Sequence, residues 1–230
     1  MARSFAFALD FDGTITQEDS TDSLLERFAL PEWREVEALW EAGLIGSREC
    51  LARQVALLRA SPEELDDAID EAAVDPDFVD FVAEAEARGI ALSIVSDGFD
   101  RVIRRVLARE GVALPFASNM LTYRGGGRWS AGFPRAREAC AAGSGVCKCT
   151  ARPAAETLVL VGDGRSDFCL AGRSDLVFAK GKLQAHCRAE GFSHVPVRGF
   201  SEILGWLENA GADVGHAIAQ LNVVGSNVDA

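Results

Sequence analysis

Short, unbroken apolar runs recur along the chain: FAFAL at 5–9, IALSIV at 90–95, TLVLV at 157–161 and LVFA at 176–179. Continuous rather than alternating runs of this length suit strands buried on both faces of a parallel sheet. A weaker fifth, HVPV at 194–197, precedes a last helix expected near Ile203–Leu207. Between the runs, apolar positions fall at helical spacing: Phe78, Phe81, Val82 and Ala85 up to Gly89, then Phe99, Val102, Ile103 and Val106. Strands alternating with helices predict a Rossmann-like α/β core, with parallel strands joined by right-handed crossovers.

Residues 17–75 break the alternation. They carry no strand signal, whereas Trp33, Val36 and Trp40, and again Leu51, Val55 and Leu58, repeat as on helices. Ser61-Pro62 before Glu63 and Glu64 reads as an N-cap followed by proline at the first helical position. Asp75-Pro76 closes the pattern. The expectation is a small helical cap inserted after the first strand, with the Trp and Leu stripes as its core. The predicted division is 1–16 and 76–210 for the core, 17–75 for the cap and 211–230 for a tail, either a short helix or disordered. Residues 115–135 are irregular, and YRGGGRWS reads as a loose hairpin loop.

Charge and composition narrow the function. The net charge is −12, which argues against a general nucleic-acid binder, since such a protein needs a basic face to displace counterions. No apolar run is long enough to span a bilayer, and the first one stops after five residues at Asp10, unlike a secretory leader. A cytoplasmic protein is expected. The six cysteines, Cys50, Cys140, Cys147, Cys149, Cys169 and Cys187, are therefore expected as thiols. Cys140, Cys147 and Cys149 cluster in sequence, but three thiols without a nearby histidine make an incomplete zinc site and read as ordinary core or loop residues.

Three of the buried runs end in chemistry. The first runs into Asp10 and Asp12, the second into Ser96 and the third into Asp163. Open parallel sheets bind ligands beyond the carboxyl ends of their strands, so these segments are expected to build one site. Two carboxylates one residue apart would share a pocket and raise each other's pKa unless a cation lay between them. Asp163 and Asp167, four apart in GDGRSDF, are placed to face the same cavity, with Lys148 upstream. Acids, one lysine and one hydroxyl are the inventory for Mg²⁺-assisted phosphoryl transfer, in which a carboxylate can act as nucleophile.

DFDGTIT, IVSDG, Lys148 and GDGRSD, in that order, resemble the four motifs of the haloacid dehalogenase superfamily, and the helical insert resembles the cap of its phosphoserine-phosphatase-like branch. The resemblance implies Asp10 as nucleophile and Asp12 as the acid that protonates the leaving oxygen and later activates water. It implies Ser96 and Lys148 as grips on the phosphoryl oxygens. Mg²⁺ would be held by Asp10, the backbone carbonyl of Asp12 and Asp163, with Asp167 supporting the metal or Lys148. Within the superfamily, aspartate at position 12 favours phosphatase or phosphomutase chemistry over dehalogenation.

The resemblance implies a small phosphomonoester as substrate, with the cap expected to select it. Asp19 stands where the serine enzymes place a glutamate for the substrate ammonium. The arginine that grips the substrate carboxylate aligns, through CLARQVALL, with Gln54, and Asp97 replaces a usual glycine before Gly98. The group that cleaves 2-hydroxy-3-keto-5-methylthiopentenyl 1-phosphate is more similar: it has the PEW segment of residues 31–33, a cysteine-flanked lysine and an arginine at the position of Arg53. Asp19, Arg53, Asp97 and Gly98 are the expected substrate contacts. Phosphoserine hydrolysis, transfer to a second alcohol and a catalytically idle binding module are the alternatives.

Overall fold

The computed structural model describes residues 5–210; the expectation for the 211–230 tail lies outside them. Seven strands form one sheet in the order β4-β3-β2-β1-β5-β6-β7. They are β1 (Phe5–Leu9), β2 (Ala91–Phe99), β3 (Phe116–Gly125), β4 (Arg128–Gly132), β5 (Thr157–Gly162), β6 (Leu176–Ala179) and β7 (His194–Pro196). All neighbours run parallel except β3 and β4, which form an antiparallel hairpin at the edge. Its turn is the glycine run Gly125–Gly127, each with positive φ, a conformation that costs a residue without Cβ little. The irregular 115–135 stretch thus supplies two strands, and only the loop of that hairpin was legible in sequence.

The ten α-helices among the described residues are α1 (Ser20–Phe28), α2 (Trp33–Glu41), α3 (Ser47–Leu57), α4 (Pro62–Asp70), α5 (Phe78–Ala87), α6 (Asp100–Arg109), α7 (Lys148–Ala151), α8 (Phe168–Ala171), α9 (Gly181–Glu190) and α10 (Phe200–Ala210). None is long and apolar enough to cross a membrane. Helix α9 had no sequence signal, because only Leu183 and Cys187 bury themselves from it.

β1 explains why the sheet is buried on both sides. Phe7 and Leu9 face one apolar cluster, which includes residues of α5, α6 and α10, while Ala8 faces another with Leu170 of α8 and Leu183 of α9. Phe7 meets Phe81 edge-on at 5.3 Å, and Phe81 lies 4.9 Å from Phe200. Burying one such ring contributes about 1.5–3 kcal/mol.

The helical insert shares this core. Leu24, Leu25, Trp33, Val55, Leu58, Leu65 and Ile69 belong to the same cluster as Phe7 and Leu9. The stripe reading needs one correction: Trp40 lines a cavity instead, and Leu51 lines that cavity while also packing against the cluster. The chain enters and leaves the insert side by side, with Thr16 and Val74 bridged antiparallel. Ser61 caps α4 through a full capping box with Glu64, as its sequence predicts. Two forked pairs, Arg101 with Asp66 and Arg105 with Asp70, tie α4 to α6. On the opposite side Arg165 donates to the Trp40 and Glu41 carbonyls, and its guanidinium stacks 5.0 Å from the Trp40 ring.

Candidate active site

The carboxyl ends of β1, β2, β5 and β6 meet at a cavity of about 560 Å³ roofed by α1–α3. Asp10, Asp12, Ser96, Asp97, Gly98, Asp163 and Lys180 line its sheet side; Asp19, Asp22, Glu37, Trp40 and Gln54 line its helical side. Segments far apart in sequence are brought together here, as the strand endings predict.

Asp10 follows β1 directly and is 5% exposed. Its Oδ1 accepts from the Phe11 amide at 2.8 Å and lies 2.7 Å from Lys148 Nζ. The same ammonium reaches Asp167 Oδ1 at 2.7 Å. Lys148 and Asp167 are fully enclosed. Asp167 is held in turn by its Oδ2, which accepts from the Asp163 and Gly164 amides. One lysine therefore bridges two buried carboxylates beneath the cavity floor. Burial works against its charge, but Asp10 and Asp167 outweigh that and hold the ammonium above its ordinary range.

Strand β2 buckles to present its residues. Val95 pairs with Ala117 and Phe99 with Asn119, so four steps on β2 span two on β3. Ser96, Asp97 and Gly98 occupy this irregular stretch. Ser96 Oγ is buried and accepts from the Gly98 amide at 2.8 Å. Asp97 is anchored on several sides: Val146 N–H at 2.7 Å, Asn119 Nδ2 at 3.2 Å and the Ser47 hydroxyl from α3 all donate to its carboxylate. It thus ties the roof to the sheet, a role its sequence position did not announce. Gly98 has no room for a side chain, because an added Cβ would strike Asp12 Oδ2 and stand 3.0 Å from Ser96 Oγ. Gly98→Ala is expected to displace Asp12 and lower turnover on the order of 10²-fold, as a misplacement near 1 Å does. Steady-state kinetics beside circular dichroism would check it; a variant with unchanged kcat would show that Asp12 tolerates the shift.

Asp12 is tied to the start of α1. Its Oδ1 accepts from the Ser20 amide at 3.0 Å and from the Ser20 hydroxyl at the start of α1. Burial first, then the charge of Asp19, pushes Asp12 up to about 7. Asp10 is raised well above the usual carboxylate range by burial, then by Asp167, with Lys148 pulling the other way. Asp163 is pushed up to about 6 by burial and then by Asp167. Both carboxylates are raised, and each answers chiefly to burial and then to a different neighbour, Asp167 for Asp10 and Asp19 for Asp12.

Carboxylate oxygens of Asp10, Asp163 and Asp167 lie within 4.8 Å of one another. This hard-oxygen set, more acidic than one lysine can balance, fits a small divalent cation. The Asp12 carboxylate is outside that group. Gly13, with φ +69°, lets the chain pass Asp163, whose Oδ2 would stand 2.7 Å from a Cβ.

Of the expected substrate contacts, Asp19 lines the cavity while capping α1 through the Thr21 and Asp22 amides. Arg53 is a correction. It is half exposed, pairs with Glu49 one turn back, and is not among the lining residues. Gln54 takes that place, buried at 2% exposure and donating to Glu37 Oε2 at 2.7 Å. One helical step rotates a side chain by about 100°, which separates the two. Sequence reasoning also missed Ser20, Ser47, Arg165 and the acids Asp22 and Glu37. Arg165 sits inside GDGRSD without being one of its acids, the others lie in helical or loop stretches without a motif, and only folding brings Ser47, Arg165, Asp22 and Glu37 to the cavity and Ser20 to Asp12.

Among known proteins, the chain is 33% identical over 208 residues to a 2-hydroxy-3-keto-5-methylthiopentenyl-1-phosphate phosphatase of an Exiguobacterium species, covering 86% of this chain and 95% of that protein. It is 30% identical to a protein of the same name from Brevibacillus brevis, covering 93% and 100%. A substrate-bound phosphoserine phosphatase superposes with a TM-score of 0.66 at 19% identity, covering 90% of this chain and 99% of that one, which supports the fold. The family model for haloacid dehalogenase-like hydrolases matches residues 7–172. The chain belongs to the haloacid dehalogenase-like hydrolase family.

Proposed function

We propose that this chain hydrolyses a small phosphomonoester, with Asp10 as the nucleophile. The observation that carries the reading is the buried Asp10–Lys148–Asp167 bridge at the floor of the cavity. Lys148 holds Asp10 in one orientation and keeps part of its charge in a place where burial would otherwise protonate it. Asp10 attacks phosphorus and becomes an aspartyl phosphate; the ester oxygen leaves. Asp12, poised near 7, gives that oxygen its proton and afterwards takes one from the attacking water. Ser96 and Lys148 hold the phosphoryl oxygens. Asp10, Asp163, Asp167 and the Asp12 carbonyl would hold Mg²⁺, which supplies Lewis-acid polarisation of the phosphoryl group. Residues 17–75 act as the cap that excludes water and bulky esters.

The same groups give a pH test. The folded chain keeps a proton on Asp12 to about pH 7, whereas an unfolded aspartate loses it near pH 4. The folded state then binds more protons, so this contribution to stability is present below about pH 4 and lost as pH rises through about 7. Asp10 and Asp163, also raised, act in the same direction. Mg²⁺ competes with those protons. Its stabilisation is expected to be larger at about pH 8 than at about pH 5. Thermal denaturation with Mg²⁺ and with chelator would measure this; a larger Mg²⁺ effect at the acid pH would contradict the metal assignment.

The relatives near 30% identity favour 2-hydroxy-3-keto-5-methylthiopentenyl 1-phosphate as the ester. The roof favours a second reading. Asp22 and Glu37 face the cavity beside Asp19, and burial, then Asp19 and Glu37, push Asp22 up to about 7. Such a wall suits an ester bearing an ammonium group. Phosphate release with Mg²⁺ from the methylthiopentenyl phosphate, phosphoserine, phosphocholine and small sugar phosphates separates the readings. One ester well above the rest names the substrate. Release from none of them, even with alcohols added as acceptors, would contradict the phosphatase reading.

A further inference from the structure

The cysteines that the sequence left as ordinary residues surround the lysine of the site. Cys147 and Cys149 flank Lys148, and their sulfurs stand 3.2 Å apart. A fourth thiol arrives from α8: the amide and thiol of Cys149 both face the Cys169 sulfur, with Cys147 and Cys140 near enough to act on its charge. All four are free thiols; Cys147 is buried, and Cys140, Cys149 and Cys169 are partly accessible. Because Lys148 is helical, the Cα atoms on either side of it lie about 5.4 Å apart, inside the range of roughly 4.4–6.8 Å that disulfides span.

We propose that Cys147 and Cys149 form a redox-active thiol pair through which an oxidised small-molecule disulfide switches the Lys148 site off. The accessible Cys149 thiolate attacks one sulfur of oxidised glutathione, and one glutathione thiolate leaves. The buried Cys147 thiolate then attacks the Cys149 sulfur and expels the second. The two protons released by the cysteines end on the two glutathione thiols, so two thiols become one protein disulfide and one glutathione disulfide becomes two thiols. Closing the sulfurs from 3.2 Å to a bond of about 2.05 Å pulls together the residues on both sides of Lys148. Its ammonium reaches Asp10 and Asp167 at 2.7 Å each, with no slack in either contact. A shift of about 1 Å there costs turnover on the order of 10²-fold. That consequence rests on the phosphatase reading; the disulfide itself does not.

The test uses the whole reduced protein, freed of reductant and exposed to oxidised glutathione. Thiol counting should show the loss of two thiols, and peptide mass mapping should join Cys147 to Cys149. Phosphate release should fall by roughly 10²-fold and return with reductant, while Cys149→Ser keeps its activity under the oxidant and Cys147→Ser stops at a mixed disulfide of Cys149 with glutathione. An unchanged thiol count, or a bridge elsewhere, would overturn the proposal, as would zinc that co-purifies with the protein and shields these thiols. A mapped bridge with full turnover would overturn the switch. Mapping needs only the wild-type chain, so the proposal survives a variant that fails to fold. Inactivity of the reduced protein would instead count against the phosphatase reading.

Discussion

Asp10→Asn is expected to abolish phosphate release while leaving the fold intact. The exchange keeps the size of the side chain and lets the amide oxygen accept from the Phe11 amide as the carboxylate Oδ1 does. What it removes is the proposed nucleophile, because an amide oxygen cannot carry a transferable phosphoryl group as a carboxylate does. Loss of a nucleophile costs on the order of 10⁴–10⁶-fold in kcat. Stability should change little or rise, since Asp10 is a buried acid already pushed toward its neutral form. Kinetics against the best ester, with urea denaturation in parallel, would show both. An active Asp10→Asn protein would end the assignment.

Lys148→Ala is expected to damage stability as well as turnover. The ammonium sits between Asp10 and Asp167 with 1% of its surface exposed, and its removal leaves two enclosed carboxylates facing each other. Breaking a buried pair from one side costs about 3–5 kcal/mol. Here the orphaned acids can take up a proton, so the folded-state pKa rises further and the loss of stability grows as pH rises. Urea denaturation near pH 6 and near pH 8 should show the variant falling further behind wild type at the higher pH. Turnover should fall about 10²–10³-fold at both, the cost of one donor to a developing oxyanion. An equal stability deficit at the two pH values would mean that the carboxylates find another partner.

The fold was legible where burial is two-sided. β1, β2, β5 and β6 read as unbroken apolar runs because helices cover both faces of the sheet there. β3 was harder to read: it sits next to the hairpin edge and mixes buried Asn119 and Leu121 with exposed Met120 and Tyr123. α9 presents only Leu183 and Cys187 to the core, too few positions for a period. At the site, the strand ends and motifs pointed to one place: Asp10, Asp12, Ser96 and Asp163 line the cavity, with Lys148 and Asp167 paired beneath it. The roof was not. Arg53 and Gln54 differ by one position, and the sequence alone does not say which faces inward; the structure turns Gln54 to the cavity. Cys169 lies twenty residues beyond Cys149, and only the packing of α7 on α8 brings their sulfurs together.

The central claim is that phosphate passes through Asp10, and the most direct test is to look for it there. The protein would be mixed with its best ester and Mg²⁺, quenched in acid during turnover, digested and analysed by mass. The account predicts one added phosphoryl group on the peptide holding Asp10, labile to hydroxylamine as an acyl phosphate is, and absent from Asp10→Asn. Rapid turnover with an unmodified Asp10 peptide at every quench time, or a phosphoryl group on another residue, would contradict it.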